Sequence, residues 1–332
     1  MKQIDFVKNK KIFFSISIIM MLLSLLGGLV RGYNVCIDFS GGTEITYFLE
    51  EDAEVEPDDS ISVVQSVVGD VVVTAQIQRT LDTEVSGGSL QLILIQVGGG
   101  VALTPEQLSE LDIKMAEAYN LSVDPATQTP RRDSNTVEPT IGRELTRNAT
   151  RSLIVASLLL VAYVAFRFRT IKGFSSAFIG LAALTQDAIV ILALYSWFQL
   201  PINETFVVVI LTSIGYSIND TIILYDRIRE NMSRMKKASE YEIANASVRQ
   251  IMARSINTTL TTLFAVGSVY VLAVIFNIPP LIQFSLPIML GVIVGSYTTL
   301  CVVGPLWAVW QTRKTKKQNK AKRVAAASAA KG

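Results

Sequence analysis

Two aspartates, Asp187 and Asp220, stand inside long apolar stretches of this 332-residue chain. A charge in the hydrocarbon of a bilayer is costly, so an ionisable residue within a spanning helix reads as a functional group. Asp187 falls near the middle of its stretch. Asp220 falls about six residues from the end of the next one, and Ser213, Tyr216 and Ser217 recur at three- and four-residue spacing with it. Asn219 stands beside them, so part of this helix carries a polar stripe. Such a stripe belongs against another helix or a water-filled cavity rather than lipid.

The following apolar stretch offers a complement. Arg254 stands at its start, followed by Asn257, Thr258, Thr259, Thr261 and Thr262. Consecutive spans run in opposite directions, so the long side chain of Arg254 can reach the depth of Asp220 and the two can meet as a pair. Burial favours the neutral acid and a neighbouring guanidinium favours the carboxylate, so a modest motion could load and unload a proton. The same pair could equally be a static fastening between helices, and the residues alone leave both open. Asp187 has no evident basic partner and reads more readily as a helix–helix hydrogen bond. Two aspartates on neighbouring helices also raise an intramembrane aspartyl protease. That reading is weak, because Ser-Ile-Asn precedes Asp220 where a Gly-x-Gly is wanted.

The elements that must position these groups are membrane spans. Half of the residues are hydrophobic, 17% are charged, and the mean hydropathy is +0.41. Crossing about 30 Å of hydrocarbon takes roughly 20 apolar residues of helix. Six stretches meet that need, near Ile12 to Val30, Ser152 to Phe168, Phe174 to Phe198, Phe206 to Tyr225, Ser255 to Phe276 and Phe284 to Trp310. The first has a basic start, yet it is too long for a secretory leader and ends in Arg31-Gly-Tyr rather than a small-residue cleavage site, so it reads as an uncleaved anchor.

Charge is segregated along the chain. From Asp38 to Glu138 nineteen acids face only Arg79, Lys114, Arg131 and Arg132. The other bases gather mainly in short segments: Lys2 to Lys11, then Arg167, Arg169 and Lys172, then Arg227 to Lys237, and Arg313 to Arg323. Threaded through six spans, these fall on one side, which the positive-inside rule makes cytoplasmic. The expected organisation is a cytoplasmic N-terminus at 1–11, a first spanning helix at 12–30 and an extracytoplasmic domain at 31–145. Five further spanning helices follow within 146–310, with a cytoplasmic loop at 226–254 lying along the interface, and then a basic, disordered cytoplasmic tail at 311–332. That tail reads as a topology determinant, not a nucleic-acid binder.

Within 31–145, Thr43 to Leu49, Val71 to Leu81 and Leu90 to Val97 read as strands, with a last one near Thr136 to Pro139. Ser60 to Val68 reads as a short helix, and Thr104-Pro105-Glu106-Gln107 opens another that reaches about Tyr119. The β-α-β-β-α-β order predicts a small ferredoxin-like α+β domain. Gly87-Gly88 and Gly98-Gly99-Gly100 read as turn and linker glycines. With no Walker or Rossmann fingerprint, no histidine, and only two distant cysteines, Cys36 and Cys301, the chain predicts no enzyme, no cofactor and no metal site.

Three motifs carry a resemblance. Ile37-Asp-Phe-Ser-Gly-Gly-Thr-Glu44, with Asp38, Gly41 and Gly42, resembles the DFxGG element of SecD and SecF proteins. Glu138-Pro-Thr-Ile-Gly-Arg-Glu-Leu145 is similar to the GPTIG stretch of the same proteins except at its first residue. The stretch from Gly215 to Asn231, Gly215-Tyr-Ser-Ile-Asn-Asp-Thr-Ile-Ile-Leu-Tyr-Asp-Arg-Ile-Arg-Glu-Asn231, resembles their signature on the fourth span, and Arg254 to Thr262 is similar to their fifth. On these motifs the chain is identified as a member of the SecD/SecF family of protein-export proteins, within the RND superfamily.

The resemblance implies a polytopic α-helical protein of six transmembrane helices, half of an RND-like bundle, in the bacterial inner membrane with its outer domain in the periplasm. It implies a SecD partner in a heterodimer, the SecYEG translocon, YajC and YidC as further partners, translocating preproteins as clients, and the proton-motive force as the energy source. Asp220 and Arg254 match the family residues implicated in proton flow. One departure is Gln186-Asp187 where many relatives have His-Asp, which removes a titrating group and leaves coupling to sodium open. Two other functional classes remain: an RND-type exporter of lipids or small solutes, and a scaffold in which Asp220 and Arg254 only fasten helices.

Overall fold

A computed structural model describes residues 5–50, 55–69, 71, 73–81, 89–124, 129–167, 174–276 and 278–329. The expected Gly87-Gly88 turn and the bases Lys2, Arg169 and Lys172 lie outside them. Helix α1 spans Lys10–Val30 and is followed by the single turn α2, Ile37–Ser40. An α+β domain continues through β1 (Gly42–Leu49), α3 (Pro57–Val68), β2 (Val73–Leu81), β3 (Ser89–Val97), α4 (Pro105–Ala118) and β4 (Arg132–Val137). Then come α5 (Pro139–Arg167), α6 (Phe174–Trp197), α7 (Glu204–Arg234), α8 (Glu240–Ile275) and α9 (Pro279–Tyr297). A π-helix at Thr298–Val303 joins α9 to α10 (Gly304–Ala329).

The four strands of the α+β domain pair antiparallel in the order β2-β3-β1-β4. Alternation gives the sheet two unlike faces. Ile45, Tyr47, Leu49, Ile93, Ile95 and Val97 point inward and are covered by α3 and α4 through Val64, Leu111 and Met115. Helix α4 opens with a capping box in which Thr104 and Gln107 satisfy each other's backbone N–H groups, with Pro105 at the first helical position. Beneath this core the Tyr47 hydroxyl donates to Asp112, which also holds Arg132 at 2.9 Å. Burial and the Asp112 charge push the Tyr47 hydroxyl's pKa far up, so it remains a donor.

Five helical stretches among the described residues are long and apolar enough to cross a membrane: Lys10–Val30, Ser175–Trp197, Glu204–Arg234, Glu240–Ile275 and Pro279–Lys316, the last running through the π-helix. The expected second span, Ser152 to Phe168, is not among these five. It falls within the 29-residue α5, with Phe168 outside the described residues. Helix α7 lies largely inside the bundle. Its residues Val209, Ile210, Ile214, Ile218, Leu224 and Tyr225 are buried against α6, α8 and α9. Close approach depends on small residues, since without a hydrophobic drive between helices in lipid, association rests on van der Waals fit. A Cβ on Gly291 would lie 2.5 Å from the Ser213 Oγ, and one on Gly295 would lie 3.0 Å from the Ser217 Cβ.

Three expectations change. The stretch 226–254 forms no separate surface helix: α7 runs on to Arg234, α8 starts at Glu240 behind a Ser239–Glu242 capping box, and the ends are tied by Asn231, which donates to Ser247 and Gln250 at 2.8 Å. The tail expected to be disordered is helical to Ala329, because its Ala, Lys, Arg and Gln residues are good helix formers continuing an ordered span. The last strand lies at Arg132–Val137, a few residues earlier than read, since Pro139 begins α5 and cannot donate to a ladder.

The α+β domain is fastened at its foot. Val35 and Ile202 form a parallel bridge, with Cys36 N–H donating to the Ile202 carbonyl at 3.2 Å and Ile202 N–H to that of Asn34 at 2.8 Å. Ser196 and Arg31 add side-chain bonds to the carbonyls of Gly32 and Trp197. The link between α6 and α7 is thereby joined to the base of the domain.

Candidate functional site

Helix α7 presents Ser213, Ser217, Asp220 and Thr221 to the bundle interior, all buried. Their spacing of four, three and one places them along one side of the helix. Tyr216 is half-buried and its hydroxyl lies 3.4 Å from Thr259 on α8. Asn219, grouped with the stripe in the sequence reading, is exposed: one step from Asp220 is a 100° turn, which carries it out of the interior. Gly215 sits on the same helix with open space where a side chain would be.

Asp187 on α6 is 1% exposed, and both its oxygens are engaged. Ser217 donates to one at 2.5 Å and Thr298, the first residue of the π-helix, to the other at 2.6 Å. Gln186 beside it donates to the Ser17 hydroxyl of α1 at 3.2 Å and lies 3.4 Å from the Thr298 hydroxyl. Gln186 and Asp187 thus tie α1, α6, α7 and the π-helix into one buried polar cluster. The π-helix contributes a second link, Thr299 to Thr221 at 3.3 Å.

Asp220 is 2% exposed and differently served. Ser255, at the start of the apolar part of α8, donates a hydrogen bond to it, while its Oδ2 has no hydrogen-bond partner among the described residues. Arg254 is near enough to act on Asp220 through its charge, yet no ion pair within 4.0 Å joins them among the described residues. The expected direct pair is therefore not formed. Ser255 is turned inward to Asp220, so its neighbour Arg254 faces a cleft of about 620 Å³ at the end of α7 and α8, shared with Asp226, Arg227, Arg229 and Glu230. Asp226 in that cleft is held by Arg167 of α5 at 2.5 Å.

The threonine run of α8 contributes less than its composition promised. Thr258, Thr261 and Thr262 donate to carbonyls of their own helix, and only Thr259 reaches α7. Asn257 is exposed. Conversely Ser17, Thr221, Ser255, Thr298 and Thr299 were not singled out. Their signal in the sequence is a hydroxyl within or beside a mostly apolar run, and Ser255 stands directly beside Arg254.

The motif glycines lie elsewhere, at the foot of the α+β domain. Gly42 has φ +146° and faces the Val97 carbonyl, leaving no room for a Cβ. Gly41 packs on Gly142 of α5, and Thr146 donates to the Phe39 carbonyl at 2.9 Å, so the two sequence motifs meet in space. Asp38 is half-buried there, and its carboxyl is raised from the usual range by burial and by the nearby Glu204 charge. Burial pushes the neighbouring Cys36 thiol up to about 11, so it stays protonated and unreactive.

A bundle of long apolar helices enclosing two carboxylates, with one α+β domain between its first two long helices, defines a polytopic helical membrane protein. The family model described as protein export membrane protein SecD/SecF, C-terminal, matches residues 117–313, more than half of the chain. The chain belongs to this SecD/SecF family. It is 30% identical over 321 residues to the protein translocase subunit SecF of Petrotoga mobilis, covering 97% of this chain and 100% of that one. It is 32% identical over 325 residues to the protein translocase subunit SecDF of Bacillus subtilis, covering 95% of this chain and 39% of the relative. The crystal structure of SecDF from Thermus thermophilus, a translocon-associated membrane protein, superposes with a TM-score of 0.71 at 26% identity, over 93% of this chain and 39% of that one. The chain thus spans the full length of SecF relatives and about two fifths of the SecDF ones.

Proposed function

We propose that this chain is a SecF subunit of a protein translocase, assisting export of preproteins across the bacterial inner membrane with a SecD partner. Relatives in which the two are one chain support that partnership. SecYEG, YajC and YidC are the further partners this reading names. Helix α5 acts as a sixth span: at 29 residues it is about 44 Å long, and Ile154, Val155, Leu158 and Leu159 are exposed along it. With six spans both termini are cytoplasmic and the acidic domain periplasmic, and no Lys or Arg in 199–205 supports that side. The β-α-β-β-α-β order with β1 and β3 central supports a ferredoxin-like domain.

In this reading Asp220 is the group that binds and releases the coupling ion, and Asp187 with Gln186 holds the bundle around it. The supporting observation is that Asp220 is buried with one carboxylate oxygen unpartnered, while Arg254 stands close without closing an ion pair. A proton fits this carboxylate with one hydroxyl donor, and the proton-motive force is the proposed source, with sodium the alternative. The test is Asp220→Asn in a strain depleted of the native copy. Normal assembly with SecD and loss of precursor processing supports the proposal. Processing at the wild-type rate leaves Asp220, bonded to Ser255, as a helix fastening, and unchanged secretion on full depletion removes the export role altogether.

A further inference from the structure

Positive charge also stands where the positive-inside bias gives no reason for it. Arg143, Arg147 and Arg151 lie in the first half of α5, at the end joined to the α+β domain. A step of four residues turns a helix by about 40°, so the three share one face over about 12 Å of its length. All three are exposed. Arg143 donates from Nε to the Pro139 carbonyl at 3.1 Å. Arg147 and Arg151 have no hydrogen bond or ion pair among the described residues, and Glu144 beside them closes none either.

The same face continues as bare hydrocarbon. Ile154 and Leu158 follow Arg151 on the arginine side of the helix and are 52% and 63% exposed. The adjoining side of α5 borders a recess of about 290 Å³ beneath the domain and against α7, lined by Phe39, Leu153 and Phe206, with Thr146 and Thr150 supplying its only polar side chains. Unpaired guanidiniums, exposed aliphatic residues one turn further on and an apolar recess beside both together suit an anion that carries hydrocarbon. A free phosphate or an acidic peptide would leave the recess and the aliphatic face unused. A neutral apolar molecule would leave the arginines unused. A phospholipid uses all three, and its phosphate sits at the level where a spanning helix leaves the hydrocarbon.

We propose that this end of α5 holds an anionic phospholipid of the outer leaflet, its phosphate on Arg147 and Arg151, one acyl chain along Ile154 and Leu158 and the other in the recess. Guanidinium suits the phosphate because its N–H groups bond two oxygens at once. The lipid then lies against the joint where Gly41 packs on Gly142 and Thr146 holds the Phe39 carbonyl, between the domain and the bundle. The inference rests on the reading of α5 as a spanning helix with this end outside.

The test uses the full chain with its SecD partner, reconstituted in phosphatidylcholine vesicles that hold a small share of phosphatidylglycerol with a photoactivatable acyl chain. The account expects the label on α5 between Ala149 and Leu158 and on α7 near Phe206. Replacing both Arg147 and Arg151 by Gln, at exposed positions whose loss leaves the fold and the SecD pairing intact, should lower that label about twentyfold, the worth of two phosphate contacts. High salt should lower it as well. Equal labelling by photoactivatable phosphatidylcholine, or a label that the double substitution leaves unchanged, overturns the lipid site, and so does a cross-link from position 147 to an acidic segment of SecD in place of lipid. The side is checked separately in cells, with Asn148→Cys and a membrane-impermeant thiol reagent. Reaction from outside without lipid selectivity defeats the lipid site alone, whereas reaction only after the cytoplasm is opened defeats the reading of α5 and the site with it.

Discussion

Asp187 and Asp220 are both buried carboxylates of the same bundle, yet they are built into it in opposite ways. Asp187 receives a hydroxyl on each oxygen, from Ser217 and Thr298, and its neighbour Gln186 extends the cluster to α1. Asp220 has Ser255, an unpartnered oxygen, and Arg254 turned aside into a cleft that opens beyond the bundle. A saturated carboxylate resists change, because any gain or loss of a ligand forfeits a hydrogen bond in a medium that offers no replacement. An under-served one near a guanidinium that closes no ion pair with it has a reason to change. Depth alone therefore does not separate the two carboxylates, and the count of donors does.

Substitutions can break or sharpen this contrast. The largest effect is expected at Asp220→Asn, a near-complete loss of export assistance with the subunit still assembled, whereas Asp187→Asn, whose amide oxygen still accepts from a hydroxyl, should retain most of it. Precursor processing measured for both in one strain checks the pair, and equal losses would erase the distinction. Next, Thr298→Val or Ser217→Ala leaves an oxygen of Asp187 without its donor and should lower stability by about 1–3 kcal/mol, read as thermal unfolding of the complex in detergent. Ser255→Ala should cost less stability than either while altering export more.

A smaller effect is expected at Gly295→Ala. Its Cβ would stand 3.0 Å from that of Ser217, displacing by a few tenths of an ångström the hydroxyl that serves Asp187. The expected outcome is a modest fall in melting temperature, with ion coupling at Asp220 unchanged.

The smallest effect lies outside the bundle. The Asp38 carboxyl is raised above its ordinary value of 3.8 by burial and Glu204. The folded state holds this proton more tightly than the unfolded one, so the group's favourable contribution is complete below 3.8 and is lost as pH rises through the folded value. Asp38→Asn should accordingly raise the melting temperature at neutral pH, and the gain should shrink towards zero on acidification. A gain that persisted in acid would assign it to packing instead.

The sequence made some of this legible and not the rest, for physical reasons. Five of the six spans, the strands and the α4 start were readable because they follow from local composition: long apolar runs, two-residue alternation, and a Thr-Pro-Glu-Gln opening. Asp220, Asp187 and Arg254 were legible as charges in or beside long apolar runs, and Gln186 only through the resemblance. Their pairing was not, since it depends on which way Arg254 turns from the axis of α8, and Ser255 rather than Arg254 takes the inward place. The π-helix at 298–303 was invisible in the sequence, because Thr-Thr-Leu-Cys-Val-Val carries no signature of the wider turn that aims Thr298 at Asp187 and Thr299 at Thr221. Helical continuation of the tail was missed by reading its composition for charge and not for propensity.

Infrared difference spectroscopy of the complex in lipid, recorded as the pH is stepped, tests the central claim most directly, because a protonated carboxyl has a carbonyl stretch that an ionised one lacks. The account predicts a carboxyl band that comes and goes with pH in the wild type, survives Asp187→Asn and vanishes in Asp220→Asn. A band that disappears with Asp187→Asn and persists in Asp220→Asn would place the exchanging group at the other aspartate and contradict it.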